Sequence, residues 1–158
     1  MKLVLLVLLF PLFLFSQNEE DEIVGVTTRV DLQNDKYFGH VFQEEYANYS
    51  FDTEILKELK TYIYAYQITI VMGTWCGDSQ EQVPRFMKVL DKIDYNTKNI
   101  TFIGVDHQKQ ANGTEVEKLK IERVPTFIVY NSDGQEVGRI IETPQESLEE
   151  DLLGIINK

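Results

Sequence analysis

Cys76 is the only cysteine of this chain, and Trp75, beside it, is the only tryptophan. The two stand in the run Thr74-Trp75-Cys76-Gly77-Asp78-Ser79. A thiolate attacks disulfides, and the product of that attack is a mixed disulfide. With one cysteine no internal disulfide can form. Any sulfur–sulfur bond made here therefore joins the chain to another molecule. A lone cysteine is more commonly a small, inert core residue. The polar neighbours Gly77, Asp78 and Ser79 argue against that fate here.

The flanking runs say how such a thiol is held. Residues 68–72 (Ile-Thr-Ile-Val-Met) read as a buried strand entering the loop. Leaving it, Val83, Phe86, Met87, Leu90 and Ile93 fall on one face of a helix, with Pro84 inside. Cys76 thus sits at a strand-to-helix junction. The unpaired N–H groups of a helix start, and its dipole, favour an anion such as a thiolate. A hydroxyl at Ser79 adds a donor for that thiolate, whereas the charge of Asp78 repels it. Ser and Asp also suit a helix start for capping alone.

Other elements follow along the chain. Residues 23–32 carry Val24, Val26 and Val30 and read as a strand. Phe42, Tyr46 and Tyr49 could form a short helix or an aromatic patch, with plain core packing the favoured reading. Ser50 or Asp52 caps a helix running to about Tyr62. Residues 99–105 are a second buried strand, and 114–121 a short helix. Val124-Pro125-Thr126 opens a strand over 127–130, and Asn131-Ser132-Asp133-Gly134 turns it into a hairpin partner at 135–141. Thr143-Pro144-Gln145-Glu146 reads as a capping box for a final helix burying Leu148, Leu152, Ile155 and Ile156.

The 158 residues suit one domain with a full core. With 15 Lys plus Arg against 26 Asp plus Glu, the net charge of -11 disfavours nucleic acid as a partner. Met1-Lys2, an apolar stretch over 3–15 and an abrupt polar switch read as a signal peptide over 1–16. The apolar stretch falls short of the ~20 residues of a membrane span. The expectation is an exported chain, periplasmic or secreted, with no stable span after cleavage. Three Asn-x-Ser/Thr triplets, at Asn48, Asn99 and Asn112, match glycosylation acceptors. His40 and His107 do not have the spacing of metal ligands with Cys76.

Trp75-Cys76-Gly77-Asp78-Ser79, the helix proline Pro84, Val124-Pro125-Thr126 and the hairpin over 131–141 together resemble the thioredoxin superfamily. The resemblance covers roughly residues 50–157 and divides the chain into a signal peptide (1–16), an N-terminal extension (17–50) and a thioredoxin-like domain (51–158). It implies an α/β fold, a three-layer sandwich with a mixed central sheet and helices on both faces. It implies Cys76 and Ser79 at the catalytic positions. Trp75, Gly77, Asp78, Val124 and a cis Pro125 would form the substrate-binding surface. The departures carry weight. Ser79 replaces the family's second cysteine, Asp78 its intervening proline, and Ile70 a buried acid. The thiol that resolves a mixed disulfide is missing, so the expected exchange is monothiol, with release by an external thiol. Reduction and isomerisation both remain open, as does a binding or client-trapping module without turnover. The expected partners are protein or small-molecule thiols and disulfides. No cofactor and no metal are implied, and the chain is expected to be a monomer.

Overall fold

The computed structural model describes residues 22–157. The segment read as a signal peptide lies outside the described residues.

The sheet has five strands: β1 (Gly25–Thr27), β2 (Gln67–Met72), β3 (Ile100–Gly104), β4 (Thr126–Tyr130) and β5 (Glu136–Ile141). Their spatial order is β1-β3-β2-β4-β5. β2 and β3 run parallel, and the other neighbours are antiparallel. The two parallel strands are joined through a helix, as such a connection requires. The sheet is therefore mixed, with the Cys76 loop leaving the end of its central strand.

The strands' period of two divides the core. Ile68, Ile70, Met72, Phe127 and Val129 point to one face. Val71, Ile103 and Ile128 point to the other. The first face is covered by α1 (Arg29–Asn34), α2 (Phe38–Asn48), α3 (Thr53–Tyr62), α4 (Gly77–Lys92) and α5 (Leu148–Ile156), whose buried residues join one cluster. The second face carries a 3-10 turn, Val116–Leu119, with Ala111, Val116 and Val124 packed inward. Helical cover is thus thick on one side and thin on the other.

Three element boundaries differ from the sequence expectation. The strand over 23–32 shrinks to β1, because Thr28 and Asp31 form a capping box that starts α1. The helix over 114–121 is only the 3-10 turn, ended by Lys120 at φ +52°. The last helix begins later than the box at Thr143. Ser147 caps it through Glu150 N–H, while Asp151 takes the N–H groups of Gln145 and Glu146. Asp52, rather than Ser50, caps α3.

Residues 22–50 belong to the same core. Leu32, Phe38 and Phe42 are all but fully buried. On the rim of α4, Arg29 makes a bidentate pair with Asp91 at 2.8 and 2.7 Å, and Tyr46 donates to the same carboxylate at 2.8 Å. Burial alone would lower the Arg29 pKa; the bond to Asp91 and its charge outweigh that and raise it. Among the described residues no helix is long and apolar enough to cross a membrane.

Candidate functional site

Cys76 is the N-cap residue of α4, in extended conformation at φ -89°, ψ 123°. Its N–H donates to Gly73 O and its C=O accepts from Gln80 N–H, both at 3.0 Å. The thiol is half-buried. Its Sγ donates to Val124 O at 3.2 Å. The peptide bond between Val124 and Pro125 is cis. β2, the start of α4 and the start of β4 therefore meet at one sulfur atom. Gly77 and Asp78, the first residues of α4, are exposed beside it.

Val124 and Pro125 are buried. The Pro125 carbonyl accepts from Glu142 N–H at 2.7 Å, which ties this loop to the end of β5. The Val124 carbonyl is turned to the thiol.

Ser79 has a different neighbour from the one expected. It is fully buried, and its Oγ accepts from Gly73 N–H at 3.3 Å. A residue at the third helical position points back along the first turn, toward the strand end that feeds the loop. Ser79 thus braces the loop at Gly73, while the thiol's hydrogen bond runs to Val124.

Trp75 is half-buried against the thinly covered face of the sheet. Its Nε1–H donates to Val105 O at 2.9 Å. The edge of its indole leaves no room for a side chain at residue 73, where an added Cβ would lie 2.5 Å from Cε2. Glycine is required there by close approach. The indole also stacks on the His107 imidazole, with centroids 4.1 Å apart and planes 23° from parallel. His107 Nε2 pairs with Glu22 Oε1 at 3.0 Å.

Sequence reasoning missed this last layer. Glu22 ends a polar and acidic run, residues 17–22, whose composition points to disorder, and it is far from His107 along the chain. Nothing local signals the pair. His40 is exposed on α2. Among the described residues, no three His, Cys, Asp or Glu side chains are grouped to hold a metal ion. A cavity of about 310 Å³ beside β5 and α5 is lined by Arg139, Glu146, Glu150 and Ile155 and touches none of these site residues.

The arrangement can present one nucleophilic sulfur, with a rigid aromatic surface on one flank and a cis-proline loop on the other. It offers no second thiol within the chain.

Comparison with known proteins gives three findings. The family model described as thioredoxin matches residues 30–152. No curated protein matches. Among solved structures, a protein of unknown function from Pseudomonas aeruginosa and an HIV epitope-scaffold each align with a TM-score of 0.54 and 18% identity. Each alignment covers 77% of this chain and 82% of the other. At that identity they show the fold alone. A thioredoxin pre-protein from Schistosoma mansoni, in reduced form, is 26% identical over 66% of this chain and 91% of its own, with a TM-score of 0.42.

Proposed function

Because the chain belongs to the thioredoxin family, we propose that it performs thiol–disulfide exchange through Cys76 alone, with an external thiol completing the cycle. Membership gives the general function, thiol–disulfide redox chemistry. The single-cysteine route is supported by one observation above all: the only thiol of the chain caps α4 and contacts the Val124 carbonyl of the cis-proline loop.

The Cys76 thiolate attacks one sulfur of a substrate disulfide. A bond forms between Cys76 Sγ and that sulfur, and the substrate S–S bond breaks. The departing sulfur leaves as a thiolate and takes a proton from water. A second thiol, supplied by the substrate or by a small molecule, then attacks the substrate sulfur of the mixed disulfide; a new disulfide forms between those two sulfurs, the bond to Cys76 breaks, and Cys76 leaves as a thiolate. Ser79 cannot replace that thiol, since a hydroxyl forms no sulfur–sulfur bond. The apolar run over 3–15 supports an exported setting, where disulfides persist.

The test is intact-mass analysis of the protein mixed with a disulfide-bonded peptide, followed by titration with reduced glutathione. The expected result is a one-to-one adduct that Cys76→Ser abolishes, and peptide reduction whose rate rises with glutathione. An adduct that glutathione does not release would instead support a client-trapping module. Absence of any adduct sinks both readings.

A further inference from the structure

We propose that His107, clamped by Glu22, is a positioning and specificity-determining residue for exchange at Cys76. The surface it completes favours disulfides borne on a peptide over small free disulfides. The proposal rests on the exchange reading above and names its substrate class.

The indole next to the nucleophile is fixed from three directions. Val105 O holds its Nε1, Gly73 receives its edge, and the His107 ring covers one face. The first two are ordinary consequences of a strand end packing on a loop. The third needs an explanation. The His107 side chain is 61% exposed. An imidazole on the surface exchanges rotamers freely unless something holds it. Glu22 does so, and the Glu22 side chain is itself only 28% exposed. The backbone behind it is held in turn. Ile23 N–H donates to Thr74 Oγ1 at 3.3 Å, and the Ile23 carbonyl packs so closely on Gly104 that an added Cβ would lie 2.0 Å from it.

Residues 22–23, 73–76 and 104–107 therefore converge on one edge of the Cys76 rim. A single polar contact at a largely exposed ring adds little to stability. The pair's evident effect is geometric: it immobilises a flat aromatic pair beside the reacting sulfur. In this proposal a small disulfide engages Sγ with little contact to that pair. A peptide that brings its disulfide to the same sulfur extends over the neighbouring rim, and a rigid aromatic surface there binds it without first having to be ordered. Displacing such a surface by a fraction of its width is enough to lower a bimolecular rate severalfold or more.

The experiment compares two substrates with one leaving group. One is hydroxyethyl disulfide. The other is a short unstructured peptide whose single cysteine is capped by mercaptoethanol. Rates of adduct formation at Cys76 are measured for the wild type, His107→Ala, His107→Phe and Glu22→Gln. The ratio of the peptide rate to the small-disulfide rate is expected to fall about tenfold in His107→Ala and by less in Glu22→Gln. Phenylalanine, which can stack but cannot pair with Glu22, is expected to bring the ratio back to about the Glu22→Gln level. Emission from Trp75, the only tryptophan, should change with the alanine variant and return toward wild type with phenylalanine. A wild-type ratio in His107→Ala, or a loss that phenylalanine does not reduce, overturns the proposal. If the wild type forms no adduct with either substrate, the exchange reading itself fails and this one falls with it.

Discussion

Ser79 stands where a second thiol would resolve a mixed disulfide, and its hydroxyl has been given a structural task. A fully buried oxygen accepting from Gly73 N–H keeps a strand-end donor satisfied at the point where β2 turns into the loop. Removing that acceptor strands a buried N–H, at a cost of about 1–2 kcal/mol. Ser79→Ala is therefore expected to lower the unfolding free energy by that amount, seen as a lower urea midpoint at unchanged slope, while Cys76 still forms its adduct. Ser79→Cys is the more informative variant. Side chains three apart on a helix have Cβ atoms about 5–6 Å apart, within reach of a disulfide after small adjustment. We expect it to form an internal bond to Cys76 on oxidation, seen as a mass loss of two hydrogens, and to release peptide thiols without glutathione. Two free thiols persisting under oxidant would show that the first turn of α4 does not bring them together.

Between elements, the most consequential polar group is Glu149, which is 2% exposed. One carboxylate oxygen accepts from Tyr49 O–H and the other from Asp52 N–H, each at 2.8 Å. One residue in the first turn of α5 thereby joins the end of α2 to the start of α3. Burial, and then the Glu149 carboxylate, push the Tyr49 phenol well above its ordinary range. A raised folded pKa contributes stability that is intact below the unfolded value, about 10, and is lost as pH climbs through the folded one. Glu149→Ala is expected to cost about 2 kcal/mol in urea unfolding at pH 7, by orphaning a phenol and a backbone N–H. The gap between wild type and variant should narrow above pH 10; a gap constant with pH would show that the carboxylate does not govern Tyr49. No sequence pattern announces this junction. The strands β2 to β5 and helices α3 and α4 were legible because periodicity and turn residues are local. So was the Cys76 loop, from its residue types. Glu149–Tyr49 and Glu22–His107 were not, because long-range pairing decides them; the late start of α5 turns instead on a choice between neighbouring caps, which Ser147 wins. The strand expected over 23–32 failed for a local reason: the Thr28–Asp31 capping box outweighed the alternating valines.

At the scale of the whole molecule, the question is whether residues 51–158 fold alone. The site residues from Trp75 to Pro125 all lie within that span, yet the family match begins at residue 30 and the core begins earlier than 51. Leu32, Phe38 and Phe42 are each no more than 1% exposed and pack in the cluster that includes Phe86, Leu90 and Phe127. Losing a large buried side chain costs about 2–5 kcal/mol, and a whole domain is stable by only about 5–15 kcal/mol. Removing three such side chains, the strand β1 that pairs with β3, and the Arg29–Asp91–Tyr46 cluster on α4 exceeds that margin. A chain beginning at residue 51 is therefore expected to lack the dispersed amide spectrum and cooperative urea transition of the chain beginning at residue 17. It would retain Cys76 as a thiol, but lose the bond from Ile23 to Thr74 and the Glu22 clamp on His107. A truncated chain that unfolds cooperatively at the full-length midpoint would refute this. It would make residues 22–50 a separable attachment, and the convergence of that segment on the Cys76 rim would then have to be explained by exchange chemistry alone.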